Sequence, residues 1–313
     1  MKVIAITPNQ KHDLLASTVI EGLYKNNIEI IASDKGNCVK KVYSNREIIK
    51  HSKDADYIFV IWGKIKGNKP PKYYLLEKIN RPEITAYIDG SEWTYTGYRE
   101  ANQLKEVKHN PKRMRGENWV NEKMFDYCKF YFKRECYPED SERGIIPLLF
   151  AAMDKNFGNF NVKKKYDIFC SFGQKQTGLR SEIEDSCRKL SNEGYNVLIE
   201  FGLDYNEYLK IISSSYISID SWGAGNCNGR FWEIIANKSC CFCQKYNILF
   251  PNAFKDGLNY VEYSDIEEFE KKIRFYLDNK DKCLEIAEEG YKHLLKYHTS
   301  KARVKYLLDN LKD

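Results

Sequence analysis

The 313-residue chain carries 50 Lys and Arg against 44 Asp and Glu, and 42% of its residues are hydrophobic. This length favours two domains of roughly 150 residues each, with enough apolar side chains for two cores. No apolar run reaches the roughly 20 residues that cross a membrane, and the first run is too short for a signal peptide. We therefore expect a cytoplasmic protein, with its ten cysteines reduced because their spacing shows no disulfide framework.

The first half of the chain alternates short apolar runs with amphipathic segments. The runs predict strands at Val3–Thr7, Glu29–Ala32, Tyr57–Trp62, Ile84–Asp89 and Cys128–Phe132. The amphipathic segments predict helices at Asp13–Lys25, Arg46–Lys53 and near Tyr73–Lys78. This alternation is typical of βαβ units around a parallel sheet, so residues 1–150 form the first predicted domain.

A stretch rich in Gly, Asn and Lys follows Leu148, and a second alternation of the same kind then begins. Strands are predicted at Tyr166–Phe172, Asn196–Phe201, Ile217–Asp220, Cys240–Gln244 and Asn259–Tyr263. Helices are predicted at Leu179–Asn192, at Tyr205–Ser214, from about Arg230, at Asp265–Asn279 with a capping box of Ser264 and Glu267, and in two later segments. We expect an α/β fold of two doubly wound domains, 1–150 and 151–298, that face each other across a cleft, with a helix at 299–313 packed back on the first domain.

The excess positive charge lies entirely in the first half, where residues 1–153 hold 26 basic against 20 acidic side chains. Residues 154–313 hold 24 of each. Much of the excess falls in Lys105–Arg115, which contains a single Glu. This segment is either a solvated loop or a contact surface for an anionic acceptor, such as a phospholipid head group, a phosphorylated glycan or nucleic acid.

The segment Tyr216–Gln244 is the most informative part of the chain for function. A short strand runs into a glycine-rich loop, and a helix then begins at about Arg230, with Glu233 one turn inside it. The glycines of this loop are Gly223, Gly225 and Gly229. Glycine allows a backbone to approach a ligand closely, and the free N–H groups of a helix start favour phosphate. Because an arginine pairs with diphosphate and a carboxylate accepts from ribose hydroxyls, the pattern predicts a nucleoside-diphosphate site.

The location of this segment divides the substrates between the two domains. Open parallel sheets bind ligands beyond the carboxyl ends of their strands, so the cleft between two such domains is the expected active site. The nucleotide segment belongs to the second domain. We therefore expect the first domain to bind the other substrate.

Short motifs in this segment and elsewhere resemble those of glycosyltransferases with the GT-B fold. They are Tyr216–Ile219, Gly229–Glu233, Tyr260–Tyr263 and Tyr297–Thr299 with Arg303 in the second half, and Ile88–Glu92, Tyr131–Glu135 and Ile145–Leu148 in the first. The similarity covers roughly residues 84–308, and its nearest likeness is to the spore-maturation-protein (CgeB-like) group. It implies a metal-independent transferase with two Rossmann-like domains that uses a nucleotide sugar.

The resemblance implies roles for residues of the second domain. Glu233 matches the ribose-binding glutamate of the family, and Arg230 would hold the diphosphate and stabilise the leaving nucleotide. Many retaining relatives carry a glutamate eight positions before Glu233, where this chain has Gly225. Either Asp220, at the strand end, takes a related role, or the donor pocket is built differently.

Other residues near the predicted donor site are open to two interpretations. Gly173 ends the first strand of the second domain, where it either contacts phosphate together with Arg180 or belongs to a plain loop. Asn228 either bonds the donor sugar or serves as a turn residue. The predicted donor-binding set is Glu233, Arg230, Gly229, Asn228, Gly225, Gly223, Gly173 and Asp220.

The first domain would supply a catalytic base if transfer inverts the configuration of the sugar. Asp89, at the carboxyl end of a predicted strand, is the first candidate, and His12, in the loop after the first strand, is the second. With Arg230 they form the predicted catalytic set. Glu92, Lys133 and Arg134 are the predicted acceptor contacts. If configuration is retained, the departing phosphate can take the proton and no protein base is needed.

The sequence therefore predicts an enzyme that moves a sugar from a nucleoside-diphosphate sugar, with UDP or GDP, to an acceptor hydroxyl. No cofactor or metal beyond that substrate is expected. The acceptor, whether glycan, lipid-linked, protein or nucleic acid, and the oligomeric state stay open. The alternatives are a nucleic-acid-binding or DNA-modifying protein that uses residues 105–115, a sugar-nucleotide epimerase of the same fold, and a catalytically silent scaffold.

Overall fold

A computed structural model of the chain describes residues 1–8, 13–62, 71–91, 120–158, 160–173, 179–223 and 225–312. Two parallel sheets organise these residues. The first contains β1 (Lys2–Ile6), β2 (Glu29–Ala32), β3 (Tyr57–Trp62), β4 (Thr85–Asp89), β5 (Phe130–Lys133) and β6 (Ile146–Pro147), in the order β2-β1-β3-β4-β5-β6. The second contains β7 (Tyr166–Cys170), β8 (Val197–Ile199), β9 (Ser215–Asp220), β10 (Cys240–Gln244) and β11 (Val261–Tyr263), in the order β11-β10-β9-β7-β8.

Helices connect these strands in both halves. In the first half they are α1 (Leu14–Lys25), α2 (Asn45–His51), α3 (Tyr74–Ile79), α4 (Glu122–Tyr127) and α5 (Pro138–Glu142). In the second half they are α6 (Arg180–Asn192), α7 (Tyr205–Ser213), α8 (Gly229–Ala236), α9 (Ile266–Asp278), α10 (Lys280–Tyr297) and α11 (Ser300–Asp309). Within the described part of the chain, every helix is too short or too polar to span a lipid bilayer.

The two-sheet architecture confirms the predicted fold class of two parallel α/β domains, and β2, β3 and β10 have the predicted bounds. One local prediction is wrong. The cap of α9 is Asp265, whose side chain accepts from the Glu268 backbone N–H, and Glu268 in turn accepts from the Ser264 N–H. The Ser264 and Glu267 capping box is therefore displaced by one residue, because the chain stays extended through Asp265.

The central strands explain why apolar runs predicted this fold well. Val3–Ile6 of β1 and Ile58–Ile61 of β3 are 0% exposed. Strands covered on both faces require such continuous apolar runs, whereas a strand with one wet face alternates. The sequence signal for these strands is therefore strong.

The strand order also determines where a ligand can bind. In the second sheet β7 lies between β8 and β9, so the chain leaves β7 and β9 in opposite directions across the sheet. A crevice opens outside the carboxyl ends of strands at such a reversal. The loops that follow β7 and β9 flank this crevice.

The last helix returns to the first half of the molecule, where α11 packs on α1. Ser300 Oγ donates to Glu21 Oε1 (2.7 Å), and a Cβ atom built on Gly22 would lie 2.2 Å from the Ser300 carbonyl oxygen. Glycine is thus required at position 22 because the two helix backbones approach so closely.

The junction before α11 is held by a buried pair, His298 and Arg303. Arg303 Nη2 donates to His298 Nδ1 (2.8 Å), while His298 Nε2 bonds the Asn252 carbonyl oxygen (2.9 Å). Burial and the neighbouring Arg303 lower the pKa of His298, so the ring is a neutral acceptor. The conformation of this junction directs α11 back to the first half.

Candidate active site

A cavity of about 440 Å³ opens in the second half, at the predicted crevice. The residues that line it come from the loops after β7, β8 and β9 and from the first turns of α6, α7 and α8. They are Ser171, Arg180, Phe201, Gly202, Leu203, Tyr205, Tyr208, Asn228, Arg230 and Glu233. The predicted donor residues Asn228, Arg230 and Glu233 thus lie together.

Asn228 positions the start of α8. Its side-chain oxygen accepts from the Arg230 backbone N–H (2.8 Å). Its amide nitrogen donates to Asp220 Oδ1 (2.8 Å) and to the Ser221 carbonyl oxygen (3.0 Å). Asn228 is therefore the N-cap of α8, and it anchors the glycine-rich loop (described residues 221–223 and 225–228) to the end of β9.

Arg230 is the principal cation of the cavity wall. Its Nε and Nη1 atoms are buried and have no hydrogen-bond partner among the described residues. The guanidinium lies over the Phe172 ring, 5.0 Å from its centroid, and the Arg180 guanidinium lies 5.3 Å from the same centroid. Two guanidinium groups beside the same ring, at the starts of α6 and α8, form a site suited to two neighbouring phosphates.

Glu233 lies one turn further along α8, held by two tyrosines of α7. Its Oε1 accepts from the Tyr205 hydroxyl (3.1 Å) and its Oε2 from the Tyr208 hydroxyl (3.2 Å). Burial raises the pKa of Glu233 above its ordinary value. Each carboxylate oxygen retains a lone pair, so Glu233 can still accept from two further hydroxyls.

Asp220 lies behind the cavity rather than in its wall. Its side chain is fully buried, accepting from Asn228 and, at Oδ2, from the Tyr246 hydroxyl (3.1 Å). Burial raises its pKa. The structure therefore places Asp220 as the support of Asn228, whereas we had predicted a donor contact.

Two of the predicted glycines allow close approaches between chain segments. A Cβ atom on Gly173 would lie 2.6 Å from the Phe201 ring. A Cβ atom on Gly225 would lie 2.6 Å from Glu135 Oε1, which belongs to the first half of the chain. Gly223 and Gly229 have more room, with Arg180 and Leu14 at 3.3 Å from the corresponding positions. The carboxylate of Glu135 thus explains why position 225 has no side chain.

Asp89 is buried at the end of β4. Its Oδ2 accepts from the Tyr131 hydroxyl (2.7 Å) and its Oδ1 from the Ser91 N–H (2.9 Å). Burial raises the pKa of Asp89 above its ordinary value. The other predicted base, His12, lies outside the described residues, as do Glu92 and the basic segment 105–115.

Lys133 and Arg134 are buried at the end of β5. Lys133 Nζ pairs with Asp140 Oδ2 (2.6 Å). Arg134 Nη2 donates to the Cys227 carbonyl oxygen (3.1 Å) and pairs with Glu135 Oε1 (3.0 Å). In this conformation both side chains contact protein, so neither is open to an acceptor as we had predicted.

Several residues of the cavity were not in the predicted set. The sequence predicts Arg180 only as an alternative phosphate contact beside Gly173, and it predicts no ligand contact for Phe201, Tyr205 or Tyr208. A sequence signal existed for the tyrosines, which lie three positions apart at the start of a predicted helix and so share one face. The position of that face opposite Glu233 depends on tertiary packing. Among the described residues, no group of three or more His, Cys, Asp or Glu is placed to hold a metal ion.

A comparison with known protein families finds a match in the second half of the chain, where the cavity lies. Residues 163–309 match the family described as "Glycosyl transferase-like" (Glyco_trans_1_2). No curated protein sequence matches the chain.

Solved structures share the fold over the whole chain. An alpha-glucosyltransferase in complex with UDP-glucose and DNA containing an abasic site aligns with a TM-score of 0.62 and 11% identity, covering 100% of both chains. Anabaena Alr3699/HepE in complex with UDP aligns with a TM-score of 0.56 and 10% identity over 99% of both chains. Sucrose-phosphate synthase from Thermosynechococcus elongatus aligns with a TM-score of 0.57 and 10% identity, covering 99% of this chain and 98% of the other.

The fold and the match of its second half define the class of this protein. It has the GT-B architecture of two parallel-sheet domains, and it is a glycosyltransferase. Its second half carries the glycosyl transferase-like sequence, which includes every residue that lines the cavity.

Proposed function

We propose that this glycosyltransferase binds a UDP-sugar in the cavity of its second half. The observation that carries the proposal is Arg230, a partly buried cation with two unpaired nitrogens at the start of α8, one turn from Glu233. Buried guanidinium nitrogens without a hydrogen-bond partner are costly, and a diphosphate beside them would offset that cost. Glu233, which lies one helical turn beyond Arg230, would then accept hydrogen bonds from the ribose hydroxyls.

Phe201 gives the cavity a platform for the nucleobase. Its ring is 66% exposed although it is large and apolar, and it lies over Gly173 at the edge of the cavity. An aromatic ring in this position offers a stacking surface to a base, a contact worth about 1–3 kcal/mol in nucleic-acid-binding proteins. The base would thus contact Phe201, the ribose would contact Glu233, and the diphosphate would contact Arg180 and Arg230.

The choice of UDP over GDP is supported by the structural neighbours. Anabaena HepE and the alpha-glucosyltransferase were both solved with UDP or UDP-glucose. The S. aureus MnaA structure, with a TM-score of 0.51 and 10% identity over 99% of this chain and 97% of the other, also contains UDP. We propose the same nucleotide for this chain.

The chemistry that follows is breakage of the bond between the sugar and the β-phosphate. Negative charge develops on the departing UDP, and Arg230, Arg180 and the α8 N-terminus would stabilise it. The acceptor hydroxyl forms the new bond, and its proton passes to a base or to the departing phosphate. For an inverting reaction we propose Asp89 as this base among the described residues, because its raised pKa favours proton uptake.

We also propose a choice among the alternative functions and a closer family group. The alpha-glucosyltransferase neighbour was solved with DNA, but the basic segment on which a DNA-modifying function would depend lies outside the described residues. The family match favours a transferase over the epimerase alternative. The likeness to the spore-maturation-protein group rests on the Arg230–Glu233 helix and on His298 with Arg303.

A thermal-shift titration tests the donor. UDP and UDP-glucose should raise the melting temperature of the protein, whereas GDP, ADP and CMP should raise it less, because a ligand that binds only the folded state stabilises that state. Equal shifts with all nucleotides would contradict the choice of base. No shift with any of them would contradict the nucleotide site itself.

A further inference from the structure

Four consecutive residues that follow β5, Arg134–Tyr137, project from the first half of the molecule and contact the second half. We call this segment the clasp. Its residues are at most 9% exposed. Arg134 donates to the Cys227 carbonyl oxygen (3.1 Å), and the Cys136 carbonyl oxygen accepts from the Leu249 N–H (2.7 Å). The clasp is therefore a buried contact between the two halves.

Glu135 makes the central contact of the clasp. Its Oε2 accepts from both the backbone N–H of Asn226 (2.9 Å) and the Asn226 side-chain amide (3.0 Å). The same amide lies 3.2 Å from the Tyr137 hydroxyl, and Asn226 Oδ1 accepts from the Asn247 N–H (3.0 Å). The polar atoms of the Asn226 side chain are thus occupied, and two of the three contacts come from the clasp.

Asn226 lies in the glycine-rich loop, two residues before the N-cap of α8. The position of this loop determines where Asn228 caps the helix and where Arg230 enters the cavity wall. Gly225 leaves only 2.6 Å between its Cβ position and Glu135 Oε1, so the loop fits the clasp closely. A displacement of the clasp would therefore move the start of the nucleotide site.

We propose that Glu135 is a positioning residue, through which the first domain holds the glycine-rich loop in its nucleotide-binding conformation. The proposal rests on the UDP site described above and extends it. Glu135 itself does not line the cavity, so it acts through Asn226. The domain that we expect to bind the acceptor would in this way control how tightly the other domain binds UDP.

The test compares two variants of this contact with a matched control. Glu135→Ala removes the carboxylate. Gly225→Ala keeps every clasp residue but places a methyl group 2.6 Å from Glu135 Oε1 and 2.7 Å from Arg134 Nη2, which forces the loop and the clasp apart. The control, Asp34→Asn, weakens another ion pair of the first half, between the buried Asp34 and Lys72 (3.1 Å), and neither residue is bonded to the clasp or the loop in the described structure. Each protein is measured for hydrogen exchange at the Asn226 amide and for UDP affinity by calorimetry.

We expect exchange at Asn226 to accelerate and UDP affinity to fall, each about tenfold or more, in both variants and not in the control. Gly225→Ala keeps the test decisive if Glu135→Ala does not fold. Unchanged exchange in the variants would overturn the proposal, since the clasp would then not hold the loop. Faster exchange with unchanged UDP affinity would overturn it as well, because the loop position would not matter for the nucleotide.

A third result concerns the proposed function itself. If the wild-type chain does not bind UDP, the UDP site is wrong, and the role of Glu135 in nucleotide binding falls with it. This result is distinguishable from failure of the clasp alone, in which the wild-type chain binds UDP and the variants bind it equally well.

Discussion

Both halves of the molecule carry charged residues at or just beyond the carboxyl ends of their strands. The halves differ in whether those charges are paired with other protein groups. In the second half Arg230 lines an open cavity and keeps two unpaired nitrogens. In the first half Lys133, Arg134 and Glu135 are buried and paired with protein groups. Charge at a strand end therefore does not identify a ligand site until its pairing is known.

The difference has a physical cause. Two opposite charges that contact each other in the interior compensate each other without a ligand, and removal of one partner leaves the other charge uncompensated. A guanidinium with unpaired nitrogens beside a cavity is instead available to an anion. By this criterion the cavity of the second half is the candidate substrate site, and the charged residues after β5 join the halves.

Replacement of Asp89 gives the test that could most strongly change this comparison. If Asp89 is the base of an inverting reaction, Asp89→Asn should lower kcat by about a hundredfold or more, because general base catalysis is lost. UDP affinity should stay unchanged. The measurement is UDP release from UDP-glucose at saturation, beside a thermal melt. A lower melting temperature with normal turnover would make Asp89 a structural residue like its neighbours, and would favour proton transfer to the departing phosphate.

Arg230 should have the next largest effect. Arg230→Gln removes the charge that stabilises the departing nucleotide, so kcat/KM with UDP-glucose should fall about a hundredfold. The control is Arg188→Gln on α6, an arginine whose side chain is 58% exposed and paired only with Glu184 in the described structure. Similar kinetics for the two variants would remove Arg230 from the site.

The sequence predicted the fold and the core of the site better than it predicted the clasp. Continuous apolar runs specify buried strands, and the local pattern of glycine, arginine and glutamate specifies a helix start, so both are visible within about ten residues. The roles of Lys133, Arg134 and Asp220 depend on contacts with residues far away in the chain. Glu135 meets Asn226 across 91 positions, a distance that no local pattern encodes. Phe201 was missed for the same reason, since its exposure follows from tertiary packing.

Glu233 predicts a pH dependence of donor binding. Its ionised form accepts two ribose hydrogen bonds, and burial raises its pKa above the ordinary 4.5. Affinity for UDP-glucose, measured by calorimetry, should therefore fall as the pH drops through this raised pKa. Glu233→Gln should bind about tenfold more weakly at neutral pH and show no such dependence. The same affinity for both proteins across this pH range would contradict the ribose contact.

The free protein should respond to pH with the opposite sign. A carboxyl with a raised pKa in the folded state holds its proton more tightly than in the unfolded chain. The contribution of Glu233 to stability is therefore greatest at low pH and is lost as the pH rises from 4.5 through the raised value. Melts of wild type and Glu233→Gln without nucleotide should diverge in this window, which separates the effect on folding from the effect on binding.

Phe201 should show the smallest effect and the most specific one. Phe201→Ala removes the stacking surface, so UDP affinity should fall about fivefold, the loss that about 1 kcal/mol of stacking gives, whereas Phe201→Trp should preserve it. Stability should change little, because the ring is 66% exposed. The matched control is Phe275→Ala on α9, where a ring that is 48% exposed lies outside the cavity. If both alanine variants bind UDP as the wild type does, the base does not stack on Phe201, and the nucleotide would be held through its ribose and phosphates alone.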